Sequence, residues 1–307
     1  MFENSIVLVT GGTGSFGKAF IREALKHDVK KIIVFSRDEF KQSEMQKEFL
    51  LEYEDARIYD SRLRFMLGDV RDSARLRRVL DGVDYVVHAA ALKQVPALEY
   101  NPTEAVLTNV NGAKNIVDAC LDCGVKKVVS LSTDKAVNPV NLYGATKLCA
   151  EKIFTAANAF NKTRFASVRY GNVIGSRGSV IPLFKKLREQ KIKEFPITDL
   201  RMTRFWITLQ QAVSLVMDAF SWMEGGEVYV PRLPSMKITD VAIAVEPDCT
   251  FKEIGIRPGE KLHEILVSED NANVFIMKDH TPRRAESGYT SDKNDLWMSP
   301  EELRGLL

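Results

Sequence analysis

The chain has 307 residues, 45% of them apolar and 27% charged, and its 43 basic and 41 acidic side chains leave a net charge of +2. That length can bury a large core, and so even a charge balance gives no electrostatic case for nucleic acid as a partner. No apolar run approaches membrane-spanning length, the first residues lack the basic segment and cleavage site of a secretory signal, and four unevenly spaced cysteines make no disulfide framework, so no membrane partner and a cytoplasmic location are expected.

Residues 5–10 read as a buried strand that runs into glycines, and 16–27 as a helix with Phe16, Phe20, Ile21, Ala24 and Leu25 on one face. Further strands are predicted over 30–36, 63–70, 83–91, 126–133 and 164–173. Further helices are predicted over 38–53, 73–82, 102–124 and 142–160. The helix over 102–124 opens with Pro102 near its first turn and closes on Cys120 and Cys123, read as two small core residues one turn apart. The helix over 142–160 is given an apolar stripe of Ala145, Leu148, Cys149, Ile153, Ala156, Ala157 and Phe160. Strands that are apolar throughout and alternate with helices predict an α/β fold, a doubly wound parallel sheet covered on both faces. From Gly175 onward the segments become short, mixed and rich in Gly, Pro and Arg.

The turn after the first strand reads "VTGGTGSFG". Glycines there let the backbone approach a pyrophosphate, and the following helix offers its N-terminal N–H groups and positive dipole end. Gly11, Thr13, Gly14, Ser15, Phe16 and Gly17 are therefore expected to bind a dinucleotide. The expected organisation is a Rossmann domain over 1–174 and a smaller, mainly substrate-binding region over 175–307. Helix 208–223 and strand 227–231 are expected to return from that region to the Rossmann domain. At the end of the second strand, an acidic residue would favour NAD. Ser36 and Arg37 stand there instead, with Lys41 one turn on and Asp38 placed past the ribose. Arg37 can pair with a 2′-phosphate, so NADP is the expected cofactor. Asp69 and Val70 of "GDVRD" are expected along the adenine edge.

Tyr143 and Lys147 are four residues apart and share a helix face. A lysine ammonium beside the phenol favours the phenolate, which can accept the proton of an alcohol that loses hydride to nicotinamide. Thr133, ending the fifth strand, can hydrogen-bond the same oxygen. At this point the chain resembles the nucleotide-sugar branch of the extended short-chain dehydrogenase/reductase family. The resemblance runs through "TGGTGSFG", "GDVRD", "HAAALK", "STDK", "YGATK", "RYGNVIGSRGSVIP", "MTRFWIT" and "RPGEKLHE". It implies that Thr133, Tyr143 and Lys147 form the redox triad and that Ala89, Ala90, Ala91 and Val173 join the cofactor contacts.

In the sugar 4,6-dehydratases of this family an acid and a base follow that threonine. Retaining enzymes have Asp-Glu; here Asp134 and Lys135 occupy the two places, as in the inverting UDP-N-acetylglucosamine 4,6-dehydratases that start pseudaminic acid synthesis. The implied reaction converts UDP-N-acetylglucosamine to UDP-2-acetamido-2,6-dideoxy-beta-L-arabino-hex-4-ulose. Tyr143 takes the C4 hydroxyl proton, a neutral Lys135 takes the acidified C5 proton, and a protonated Asp134 donates to the departing C6 hydroxyl. The cofactor is regenerated each turnover.

For the nucleotide sugar, Arg204 and Arg257 can fork onto phosphate oxygens, Glu260 can accept from ribose hydroxyls, and Thr198 can meet the uracil. Lys93, Asn172, Ile181 and Met202 complete the implied substrate contacts, and no metal is implied. Met45, Phe49, Leu50 and the helices 103–123 and 142–160 are expected to offer faces for a homo-oligomer. The family commonly forms dimers, and hexamers occur among the inverting dehydratases. Three rivals remain: a retaining UDP-sugar 4,6-dehydratase, a UDP-sugar 4-epimerase, and a non-catalytic NADP-binding regulator.

Overall fold

The computed structural model describes residues 1–52, 62–176, 179–269 and 272–307. Tyr53, the last residue of the predicted second helix, lies outside the described residues, as do Arg177 and Gly178. Six strands follow the predicted order: β1 (Ile6–Thr10), β2 (Lys31–Ser36), β3 (Leu63–Leu67), β4 (Tyr85–His88), β5 (Lys127–Leu131) and β6 (Arg164–Val168). Three more join the same sheet from the C-terminal half: β7 (Val228–Pro231), β8 (Val274–Lys278) and β9 (Thr281–Arg284). The sheet order is β9-β8-β7-β6-β5-β4-β1-β2-β3. Every neighbour is parallel except β8 and β9, an antiparallel hairpin whose two turn residues, Asp279 and His280, have positive φ.

β1 pairs with β2 on one side and β4 on the other, so the strand order reverses there. A crevice opens at the carboxyl ends of strands at such a switch point. The helices are α1 (Ser15–Leu25), α2 (Glu39–Glu52), α3 (Ser73–Leu80), α4 (Val95–Tyr100), α5 (Pro102–Ala105), α6 (Gly112–Cys123), α7 (Leu142–Ala157), α8 (Val180–Glu189), α9 (Leu209–Trp222), α10 (Ile238–Val245) and α11 (Pro300–Gly305). Phe20 and Ile21 of α1, Met45 and Phe49 of α2, and Val216 and Phe220 of α9 fill one face of the sheet. Leu76 of α3, Ile116 and Cys120 of α6 and Phe154 of α7 fill the other. A third apolar cluster lies around the segments 194–197 and 203–207 and helices α8 and α10. Its strand Thr203–Ile207 pairs with Asn172–Val173, just past β6.

Five expectations are corrected. The helix predicted as continuous over 102–124 carries a π-helical turn, Val106–Asn111, between α5 and α6. That wider turn brings Asn109 inward, where it bonds Leu92 N (2.8 Å), Leu92 O (2.9 Å) and Thr146 Oγ1 (3.0 Å). The strand predicted over 164–173 breaks after Val168, and Asn172–Val173 leaves the main sheet. β8 and β9 were not predicted, because they lie in the stretch whose mixed composition masks period-2 patterning. Met45 and Phe49 are core residues and offer no surface, whereas Leu50 is exposed. In α7, finally, Cys149 and Ala156 of the predicted stripe face outward, as does Phe160 in the short turn after it, and the buried face carries Thr146, Lys147, Glu151, Phe154 and Ala157. Hydrogen bonding and ion pairing make those polar side chains buriable.

The strongest of these pairings joins Arg169, just after β6, to Glu151. Arg169 donates from Nε (3.1 Å) and Nη2 (2.6 Å) to the Glu151 carboxylate and from Nη1 to Leu266 O (2.7 Å). Both side chains are buried. Arg169→Met removes the cation and strands the Glu151 carboxylate, so it is expected to destabilise the fold by about 3–5 kcal/mol. Denaturant unfolding of the purified variant and wild type measures this.

Candidate active site

The turn between β1 and α1 is built for close approach. An ideal Cβ on Gly17 would lie 2.6 Å from Gly12 Cα, so neither position tolerates a side chain and the first turn of α1 packs directly on the strand end. No side chain caps α1, whose N-cap is Gly14, and its first N–H groups are left for an anion. Thr10 Oγ1 bonds His88 Nδ1 (2.9 Å) and accepts from Ala90 N (3.2 Å), which ties the ends of β1 and β4 together. Burial, with Lys147 nearby, pushes the His88 imidazole down to about 3, so it is neutral.

A cleft of 520 Å³ runs from this turn across the strand ends. Gly11, Thr13, Gly14, Ser15, Phe16 and Gly17 line its middle, and Ser36, Arg37, Asp38, Lys41 and Val70 one end. Ala89, Ala90, Ala91 and Lys93 line one wall, and Thr133, Lys135, Tyr143, Lys147, Asn172 and Val173 the other end. The sequence-predicted cofactor set is thus brought together around one groove, with Asp69 set back. Asp69 accepts from Arg71 (2.8 Å) and lies 3.5 Å from Arg37, and these cations outweigh burial to hold its carboxyl below the usual range. Asp38 is turned to Lys41, accepting from its backbone N (3.0 Å) and lying 2.9 Å from its Nζ. Arg37 and Lys41 border this end of the groove, with the carboxylates of Asp69 and Asp38 beside them.

At the other end, a close backbone contact fixes the geometry. A Cβ on Gly144 would lie 2.0 Å from Lys135 O. Only the bare Cα of Gly144 lets the Asp134–Ala136 turn sit against the first turn of α7. Asn141 caps that turn, its Oδ1 accepting from Gly144 N (2.7 Å), and its Nδ2 donates to Gly259 O (2.7 Å). Asp134 is completely buried. Its Oδ1 accepts from Thr133 Oγ1 (2.9 Å) and Lys135 Nζ (3.0 Å), while Oδ2 is buried without a hydrogen-bond partner. Thr133 also lies beside the Tyr143 phenol, so Tyr143, Thr133, Asp134 and Lys135 sit side by side.

Two electrostatic expectations change here. Burial raises the Tyr143 phenol, and the influences that pull it back are Lys135 and the neighbouring Thr133 hydroxyl. Lys147, expected to act on the phenol, instead feels Glu151, and burial lowers it to about 8. Lys135, expected to be neutral, is held as an ammonium. Burial pushes it down, but Asp134 and Glu264 outweigh burial and raise it above the ordinary lysine value. The ion pair and its neutral tautomer carry the same number of protons. One shift along the 3.0 Å contact therefore turns Asp134 into an acid and Lys135 into a base without proton exchange with solvent.

The predicted substrate residues divide. Lys93 and Asn172 line the cleft, and Asn172 Oδ1 lies 3.5 Å from Lys135 Nζ. Ile181 and Met202 are core residues, and Thr198 Oγ1 points to Met202 Sδ (3.3 Å). Arg204 is buried and spends its donors on Thr203 O (2.7 Å), Leu262 O (3.1 Å) and Lys261 O (3.0 Å), so it does not present a free fork to a phosphate. Arg257 is exposed, and Glu260 keeps a buried, unpartnered Oε2. Sequence reading missed Ser132, Thr108, Tyr170, Glu151, Arg169, Lys261 and Glu264. Ser132, Thr108 and Tyr170 line the cleft. Ser132 donates to Glu151. Glu264, in the quoted "RPGEKLHE", was in view but carried no distinguishing spacing.

A model of the family described as polysaccharide biosynthesis protein matches residues 7–282. Across its whole length the chain is 54% identical to the UDP-N-acetylglucosamine 4,6-dehydratase (inverting) of Campylobacter jejuni strain 81-176, covering 98% of that protein. Over 91% of its length it is 43% identical to the UDP-glucose 4-epimerase of Rickettsia canadensis, covering 83% of it. The X-ray structure of Pen from Bacillus thuringiensis matches with a TM-score of 0.87 and 37% identity, over 100% of this chain and 98% of that one.

Gly144→Ala must move Lys135 O away by more than an ångström. It is expected to slow any reaction that uses Tyr143 and the Asp134–Lys135 pair together by about 100-fold while nicotinamide-cofactor affinity stays within a factor of two or so. Steady-state kinetics and cofactor titration of the variant check this; an equal loss of both would refute the local explanation.

Proposed function

Because the chain belongs to the polysaccharide biosynthesis protein family, within the extended short-chain dehydrogenase/reductases, we propose that it is an NADP-dependent UDP-N-acetylglucosamine 4,6-dehydratase that inverts C5. The observation that carries this reading is the chain Tyr143–Thr133–Asp134–Lys135 at the mouth of the dinucleotide groove. A 4-epimerase or a reductase uses the tyrosine and Lys147 but has no work for a buried acid–base pair beside them. A non-catalytic NADP-binding regulator needs neither.

Tyr143, as the phenolate, accepts the C4 hydroxyl proton, with Thr133 beside the same oxygen. The bound nicotinamide supplies a hydride acceptor for C4 and the hydride donor for C6. With C4 a ketone, the C5 proton is acidic. Lys135, as the amine tautomer, takes that proton; the C5–H electron pair forms the C5–C6 double bond, the C6–O bond breaks, and the Asp134 proton leaves with the hydroxyl as water. Elimination returns the pair to carboxylate and ammonium, the state that the surroundings favour. When C6 takes the hydride, the electron pair left at C5 takes a solvent-derived proton on the face opposite to that from which the first proton left, which inverts the centre. The orphan Asp134 Oδ2 suits this reading, since a buried carboxylate oxygen without a partner is costly until it meets a donor.

Lys93, Asn172, Arg257 and Glu260 are the residues proposed to meet the nucleotide sugar, with Arg204 acting from behind by bracing residues 261–262. The exposed faces of α6 and α7, with Cys149 on α7 and Phe160 just beyond it looking outward, support a homo-oligomer built on a dimer. The product would enter pseudaminic acid synthesis, in the cytoplasm.

Incubation with UDP-N-acetylglucosamine in D2O, without added cofactor, tests the central reading. NMR is expected to show a 4-keto-6-deoxy sugar carrying deuterium at an inverted C5. A retained C5 would leave only a retaining dehydratase, and a C4 epimer with no loss of water would leave an epimerase. Lys135→Ala is expected to abolish dehydration while leaving cofactor bound. Arg37→Ala is expected to weaken NADP about 10–100-fold and NAD little, because it removes charge-assisted bonds to the 2′-phosphate alone; equal effects on both dinucleotides would overturn the NADP assignment.

A further inference from the structure

The segment Gly259–Glu264 lies across the turn that carries Asp134 and Lys135. Gly259 O accepts from Asn141 Nδ2 (2.7 Å), and Lys261 Nζ donates to Val137 O. The third link is Glu264, which is 3% exposed. Its Oε1 lies 3.6 Å from Lys135 Nζ and 3.7 Å from Arg204 Nε, and its Oε2 lies 3.9 Å from Lys261 Nζ. None of these is a hydrogen bond, and Oε2 has no hydrogen-bond partner among the described residues. The backbone of Glu264 is pinned, however: its N–H donates to Ser291 Oγ (2.9 Å), and its carbonyl accepts from Ser291 N (2.9 Å).

We propose that Glu264 is a positioning residue for the dehydration step, holding Lys135 Nζ beside Asp134 from the side of residues 259–264. The proposal rests on the dehydratase reading. Lys135 has one short carboxylate contact, to Asp134, and that partner must itself become an acid during the reaction. Without a second anion, the lysine chain has nothing to keep it in place when Asp134 is protonated. Glu264 supplies that anion at a distance too long to compete for the proton. Lys261 and Arg204 flank Glu264, and their own positions are fixed by carbonyls at Val137, Thr203 and Leu262.

The charged and titratable groups that face Lys135 are Asp134, Glu264 and Arg204, with Tyr143 and Lys261 beyond them. Asp134 and Glu264 hold the ammonium, so neutralising Glu264 makes Lys135 lose its proton at lower pH. On the alkaline side, where the Asp134–Lys135 pair gives up its one proton and can no longer supply the acid, the limb of the rate profile must therefore move down in Glu264→Gln.

The experiment compares wild type, Glu264→Gln and Glu264→Asp, each purified with its cofactor, with product followed by NMR across pH. Glu264→Gln is expected to lower kcat about 10–100-fold with KM within a factor of two or so, and to move the alkaline limb down by about one pH unit. Glu264→Asp keeps the charge but sets it back; it is expected to recover part of kcat and to keep the limb near the wild-type position. A Glu264→Gln enzyme with wild-type kcat, or one that loses activity with the limb unmoved, overturns the proposal. If Glu264→Gln does not retain cofactor, Glu264→Asp decides, and wild-type kcat in it is a refutation. A wild-type protein that releases no water from UDP-N-acetylglucosamine refutes the dehydratase reading instead, which separates the two failures.

Discussion

The approach of Lys135 O to the bare Cα of Gly144 is the constraint on which the rest of the site depends. Tyr143 and Lys147 ride on α7, whereas Thr133, Asp134 and Lys135 ride on the turn after β5. Two elements separated in sequence must be held to within a few tenths of an ångström for a phenol, a hydroxyl and a carboxylate to share hydrogen bonds. A methyl group at 144 would drive them apart. The glycine in "YGATK" therefore belongs to the chemistry as much as the tyrosine and lysine on either side of it. The N-cap at Asn141 reinforces the same junction, since one amide side chain both starts α7 and bonds Gly259.

Charges buried at such a junction carry a large desolvation cost, several kcal/mol for each ion, and only close opposite charges offset it. Two pairings do so here. Glu151 and Arg169 meet in bidentate geometry at 2.6 and 3.1 Å, a stiff and permanent pair. Asp134 and Lys135 meet through a single oxygen, with the second oxygen left unpaired. The first pair has no slack and serves as scaffold behind Lys147. The second is under-coordinated, and in the proposed reaction that incomplete coordination would leave it free to exchange a proton with a bound sugar. Structural and reactive ion pairs in this protein are thus told apart by how many of their hydrogen bonds are filled.

Much of this was legible in the sequence, for a physical reason in each case. Parallel strands buried on both faces read as continuous Val, Ile and Leu, so β1 to β6 stood out, and the glycine turn after β1 could be placed on the sheet. The pairing of YxxxK with Asp-Lys was visible because the fold puts the ends of β5 and α7 at the same crevice. What failed was polarity taken as a proxy for exposure. Thr146, Lys147 and Glu151 sit on the buried face of α7 because Asn109 of the π turn, Glu151 itself and Arg169 just past β6 satisfy or offset them in turn, and no one-dimensional pattern records those partners. The same error placed Arg204 at a phosphate. An arginine in a strand reads as a free fork, and only the fold reveals that carbonyls at 203, 261 and 262 already occupy it.

Those carbonyls show how the two halves of the molecule act on one another. Arg204 belongs to the strand Thr203–Ile207, which pairs with Asn172–Val173 at the rim of the cleft. It also braces residues 261 and 262, from which Lys261 reaches Val137 and Glu264 faces Lys135. A ligand that shifts Arg257 or Glu260 thus pulls on a short segment whose other contacts are the Asp134–Lys135 turn and the cap of α7. On the proposed roles of Arg257 and Glu260, binding of a nucleotide diphosphate and readiness of the proposed acid–base pair would be linked by that segment. A substrate with its phosphates removed should then lose turnover as well as affinity, because the residues proposed to recognise it lie within seven residues of the carboxylate facing Lys135.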